Sequence, residues 1–191
     1  MDVRIVVMVD IFIVFLSFGA IWINVDQNGS PIPDAYNGFQ VSGMVGGYIG
    51  GLQVNPPSYQ ATDFGAYTQA VLASLIVGNM ELDAAMVAIP AALLLALASF
   101  VRWRLLLLAG ILETVGGVLW RLGIPAISQQ AGSQLAAWQG FGAGAPNVSV
   151  SSSLGPDFAV AAGVLLGTTY LLTVKEKLDP PLDSGMPVPS T

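Results

Sequence analysis

Four stretches of the chain stay apolar long enough to predict membrane helices: residues 5–23, broken only by Asp10; 84–101, uncharged; 105–122, carrying Glu113 and Arg121; and 158–174, uncharged. A helix crosses the ~30 Å hydrocarbon core with about 20 mostly apolar residues. The pattern therefore predicts a mainly α membrane protein, a bundle of four transmembrane helices. Two longer connections remain, 24–83 and 123–157, with a three-residue turn at 102–104 and a tail from 175 to 191.

The first connection carries a different period. Ile21, Ile23 and Val25 alternate with Trp22, Asn24 and Asp26, and period two signals a strand with one buried face. Asn28–Gly29 suits a tight hairpin turn, since both central residues of a type I′ turn need positive φ. A second run alternates at Phe39/Val41 and Leu52/Val54 and holds glycines 43, 46, 47, 50 and 51, which permit bulges, before Pro56–Pro57 ends it. Two to four short antiparallel strands are expected over about 21–54. The glycine-rich part has no Lys or Arg to block edge pairing, so Val45, Tyr48 and Leu52 mark an expected assembly edge. Thr62–Asp63 then starts a short outer helix over 65–80. Glu81 and Asp83 sit where that helix meets the second span, and acidic groups there suit the helix dipole.

The second connection has no charged residue from 124 to 156; its composition predicts a short helix around 128–138 followed by a flexible Gly/Ser stretch. The tail holds four prolines in "LDPPLDSGMPVPST" and no apolar periodicity, which predicts disorder.

Composition narrows the function. The 191 residues are 54% apolar and only 9% charged, whereas soluble domains carry about 25% charged residues. Neither Cys nor His is present. That excludes disulfides, thiolate or imidazole metal sites and His-dependent nucleophilic catalysis. No cofactor and no catalytic residue is expected. Six basic residues against a net charge of −6 leave no track for nucleic acid. Arg4, Arg102, Arg104, Lys175 and Lys177 fall on one side of the four spans and only Arg121 on the other. The positive-inside rule then puts both termini in the cytoplasm and both long connections outside a plasma membrane. A cleaved leader is a poorer fit, because Asp10 interrupts the first apolar stretch and no A-x-A site follows it.

This layout resembles the claudin-type four-helix family. The best match is "YTQAVLASLIVGNMELDAAMVAIPAALLLALASFVRWR", similar to that family's order of outer helix, membrane helix and basic turn, with "GGYIGGL" at 46–52 similar to its first-loop signature. The family's loop cysteine pair is absent, and Trp22 lies at the membrane end of the loop. The resemblance implies lateral self-assembly or a barrier role.

Candidate functional residues are few. A carboxylate at the depth of Asp10 or Glu113 costs about 2.5–3.5 kcal/mol on insertion scales. Each is therefore a proton or cation relay, or a neutral acid bonded to a neighbouring helix, with Arg104 as a partner for Asp10. The sequons "NGS" and "NVS" predict glycosylation at Asn28 and Asn147, although Asn28 is equally a turn residue. Gly163 and Gly167 have the small-xxx-small spacing that lets membrane helices approach closely. The expected function is a non-enzymatic membrane protein that self-assembles through its outer segment, with lipid and further copies as partners. The alternative is an accessory subunit among other proteins of a respiratory or transport complex.

Overall fold

The computed structural model describes residues 3–27, 30–31, 35–50, 64–138 and 147–178. In chain order the elements are α1 (Val3–Gly19), β1 (Ile21–Gln27), β2 (Ser30–Pro31), β3 (Tyr36–Asn37), α2 (Gly38–Ile49), α3 (Phe64–Val77), α4 (Met80–Ala98), α5 (Leu105–Ala136), β4 (Val148–Ser152) and α6 (Gly155–Leu178). The chain is mainly helical. α4, α5 and α6 are each long and apolar enough to cross a membrane; α1, at 17 residues, is shorter.

Four of the helices form a bundle. α5 packs against both α4 and α6, and α1 closes the group mainly on α6 and more lightly on α4. The buried positions of α4 are Leu82, Ala85, Ile89, Ala92 and Ala96, a recurrence every three or four residues that makes one stripe along the helix. Small residues let the facing helices approach. A Cβ at Gly116 would sit 2.7 Å from Ile89 Cγ1, and one at Gly123 would sit 2.6 Å from Leu82. At 1.5 Å per residue the 32 residues of α5 make a rod of about 48 Å, more than the membrane core requires. Its first half belongs to the bundle, and its second half supports the sheet.

The sheet is built around β1. β4 pairs antiparallel with β1 from Ile23↔Ser152 to Gln27↔Val148. Asp26 and Gln27 also pair with Pro31 and Ser30 of β2, and Ile21 and Ile23 with Asn37 and Tyr36 of β3 across an irregularity in register. A residue has only one neighbour on each edge, so β2 and β3 share the edge opposite β4. The sheet is three strands wide. The turn expected at Asn28–Gly29 lies outside the described residues. The free side of β4 is closed by α5: Ser128 Oγ donates to Val150 O at 2.6 Å, and a Cβ at Gly132 would lie 2.5 Å from Val148 O.

Several sequence expectations are corrected here. The run expected to be a strand, from Phe39 through the glycines at 43–47, is the helix α2. Asn37 accepts from Gln40 N–H while the Gln40 side chain accepts from Asn37 N–H, both at 2.9 Å, a reciprocal cap that starts a helix. Val41, Met44 and Val45 are then buried on one side. The short helix expected at 128–138 is the continuation of α5 through Pro125. Part of the expected Gly/Ser coil is strand β4, whose Val148 and Val150 turn inward while Ser149 and Ser151 are exposed. Of the tail expected to be disordered from 175, residues 175–178 belong to α6; residues 179–191, Leu52 and Asn28 lie outside the described residues.

The short helix expected over 65–80 is present as α3. Its Tyr67 hydroxyl donates to Gln134 O at 3.0 Å, tying it to the far half of α5. It stops before Gly78, and Asn79, extended at φ −112°, caps α4 by accepting from Leu82 N–H at 3.0 Å. Glu81 and Asp83 occupy the first turn of α4, where carboxylates meet the positive end of the helix dipole.

Candidate functional site

The most unusual chemistry lies inside the bundle. Asp10 from α1 and Glu113 from α5 are both fully buried, and each is the other's electrostatic neighbour. Asp10 therefore meets Glu113 and not the expected Arg104, which is exposed beside the start of α5. The pairing follows from the bundle geometry, since Gly110 and Gly117 of α5 face α6 while Gly116 faces α4. Position 113 falls between those two faces and looks across the bundle toward α1. Drawn as carboxylates, the two groups present four acceptor oxygens, and none has a hydrogen-bond partner.

The apolar core divides at this level. One cluster, including Val14, Trp120 and Ile124, extends toward the sheet. The other, with Val6, Val7, Ala96, Leu106, Ala109 and Leu166, fills the opposite end. Asp10 lies between Val7 and Val14 in sequence, and Glu113 between Ala109 and Trp120. Nearby hydroxyls are occupied by their own helices: Thr114 donates to Gly110 O and Thr169 to Leu165 O, both at 2.8 Å.

At the sheet end Trp22 ties the layers together. Its Nε1 donates to Ser17 O at 2.7 Å, and Ser17 Oγ donates to Gly155 O at 2.7 Å. Trp120 meets the Trp22 ring edge-on at 4.8 Å. A side chain at Gly155 would overlap this ring, and a Cβ at Gly38 would lie 2.8 Å from its Nε1. One indole, carried by β1, thus touches α1, α2, α5 and α6. Arg121 and Asp157 form an ion pair between α5 and α6 near this level, with Nε to Oδ1 at 2.9 Å.

The expected Gly163/Gly167 pair acts unequally. A Cβ at Gly163 would lie 2.6 Å from both Gly110 O and Thr114 N, whereas one at Gly167 would meet nothing within 4 Å among the described residues. Gly110 on α5 is the point both approach: a Cβ there would lie 2.7 Å from Gly163 O and 2.8 Å from Gly167 N, so Gly167 contributes its backbone while its own Cβ position stays open among the described residues. The sequence held that signal: Gly110 and Gly117 lie seven residues apart on one helix face. Of the expected assembly edge, Val45 is buried in α2 and Tyr48 half-buried, so neither belongs to an open strand edge. The open face of α2 is instead glycine: positions 43, 46 and 47 have nothing within 4 Å of a Cβ among the described residues. Beside α2, Phe39 meets Phe15 and Phe18 at ring separations of 6.2 and 5.4 Å. They border an apolar cleft of about 230 Å³ between α1, α2 and α4. Asn147 is exposed at the start of β4.

Compared with protein-family models, with curated proteins and with solved structures, the chain matches none.

Proposed function

We propose that this chain is a non-enzymatic integral membrane protein that assembles laterally with further copies of itself through the glycine face of α2. Membrane crossings by α4, α5 and α6 are joined by a fourth, α1, about 25 Å long at 1.5 Å per residue, a deficit that bilayer thinning accommodates. The bundle-averted residues of α1, Ile5, Met8, Phe12 and Phe15, are 58–63% exposed, as a lipid-facing stripe would be. With Arg4, Arg102, Arg104 and Lys175 at the end away from the sheet, the positive-inside rule puts that end in the cytoplasm and the sheet outside the cell. The claudin-type resemblance points to the same plan.

The observation that carries the assembly reading is the face of α2. A glycine inside a helix costs about 0.8–1.0 kcal/mol relative to alanine. Here three glycines, at 43, 46 and 47, accept that cost with no described neighbour to require it. A face of small residues admits the backbone of a second helix, and a neighbouring copy's α2 would supply it. The test is mass in mild detergent by light scattering corrected for bound detergent. Wild type should be oligomeric and the Gly43→Leu/Gly47→Leu double variant monomeric. Gly43→Ala/Gly47→Ala should stay folded with unchanged or raised thermal stability. A wild type that is monomeric at high protein concentration, in detergent and in vesicles alike, refutes self-assembly. Fixed stoichiometry with a foreign protein after purification from native membrane would establish the accessory-subunit alternative.

A further inference from the structure

Two buried carboxyls that face each other without a cation can exist in three states, and the surroundings select among them. With both ionised, four acceptors confront one another with no donor, and two like charges sit in apolar surroundings where even one is expensive. A single proton leaves one charge and two oxygens without a partner. With both protonated, each hydroxyl donates to the other's carbonyl, every oxygen is occupied, and no charge remains. Only this last state satisfies the four oxygens that otherwise lack partners.

Among the described residues no other group stands ready to compensate. The remaining titratable groups on the surrounding helices lie toward their ends, apart from Arg121 midway along α5. Arg4 opens α1, and Glu81 and Asp83 open α4. Arg121 is bound to Asp157 of α6, and Tyr170, stacked on Trp103, and Lys175 lie toward the end of α6. Among the described residues, the titratable group that each carboxyl meets is the other. Apolar clusters on both sides seal the pair from water.

We propose that Asp10 and Glu113 form a proton-holding acid pair that fastens α1 to the rest of the bundle, and that loss of its protons releases α1. The inference rests on the bundle and is independent of assembly through α2. Its ligand is the proton, and the device is a pH-sensitive fastening. The pair keeps its protons in the folded chain, while the same side chains, exposed on unfolding, release theirs above about pH 4. The contribution is therefore complete below that pH and is lost progressively as pH rises toward the titration of the folded pair. Each proton retained only by the folded state lowers the folding equilibrium constant about tenfold per pH unit over that window.

The experiment compares unfolding in detergent for wild type and for Asp10→Asn/Glu113→Gln from about pH 5 to about pH 9. Two amides can pair as two acids do but do not titrate, so the double variant should fold and lose the downward slope with pH that wild type shows. Infrared spectroscopy supplies a second readout: at neutral pH wild type should show the carbonyl stretch of protonated carboxyls, reduced in Glu113→Gln. Equal pH slopes for wild type and the double amide overturn the proposal. So does a wild type without the protonated-carboxyl band, a result that decides the matter even if the variants fail to fold.

Discussion

Replacing Gly163 with alanine adds one methyl group at the tightest point between α5 and α6. That methyl would lie 2.6 Å from Gly110 O and from Thr114 N, while comfortable separations begin near ~3.5 Å. The deficit is roughly 1 Å. The methyl would also press on Thr114 Oγ1, but the Gly110 O and Thr114 N contacts are backbone, so rotating that hydroxyl does not relieve them and the helices must move apart. Separation also loosens the rest of the seam, where a Cβ at Gly117 would lie 2.7 Å from Pro156 O and 2.6 Å from Val160 Cγ2. Overpacking of this kind costs about 1–3 kcal/mol. Alanine's better helix propensity, worth about 0.8–1.0 kcal/mol, offsets part of it. Net destabilisation of about 1–2 kcal/mol is expected. Gly167→Ala is the internal control. Its methyl meets nothing described within 4 Å, so it should be neutral or stabilising by up to about 1 kcal/mol. Unfolding in mixed micelles with increasing sodium dodecyl sulfate, followed by circular dichroism, measures both. If Gly163→Ala proves as stable as Gly167→Ala, close helix approach is not what requires glycine at 163, and the packing of α6 on α5 has been misjudged.

Two further outcomes are expected. Asn79→Ala removes the side-chain acceptor for Leu82 N–H and should destabilise α4 by about 0.5–2 kcal/mol, with Asn79→Asp retaining most of the stability in the same micelle titration. For topology, a cysteine placed at the exposed Ser151 should react with an impermeant maleimide in intact cells, and one at Ser184 should not; the reverse pattern would invert the protein in the membrane.

Much of the fold was legible because apolar periodicity over long segments resists misinterpretation. Residues 84–101, 105–122 and 158–174 all lie in helices except at the turn after Ala98, and the alternation at 21–25 is strand β1. The errors have local causes. Glycines at 43, 46 and 47 weaken a helix and invite a strand assignment, yet the Asn37–Gln40 spacing already carried the capping signal. The helix expected at 128–138 is not separate from the third span: Ile124, Ile127, Ala131 and Leu135 carry the helical spacing on through Pro125 and are buried. β4 was hidden because serines dilute its two valines. The carboxyl pair is a different case: 103 positions separate its members, and no local pattern joins them. Depth arithmetic comes close, since Asp10 lies seven residues into α1 and Glu113 eight into α5, equivalent to about 10 and 12 Å of rise. Pairing them still required knowing which helices face each other across the bundle. The glycine face of α2 was illegible for a simpler reason: sequence shows small residues but not which described neighbours they meet.

The unbroken course of α5 makes the protein a lever. The helix is gripped by α4 and α6 over its first half, and its second half carries β4 and, through Tyr67, α3. Bundle and sheet therefore share one continuous helix. For a rod of about 48 Å, a tilt of about 5° at the buried end sweeps the opposite tip by about 4 Å, a distance approaching the spacing between neighbouring strands. Lateral pressure in the surrounding medium, or a neighbour pressing on the bundle, would in this way be amplified into displacement of the sheet.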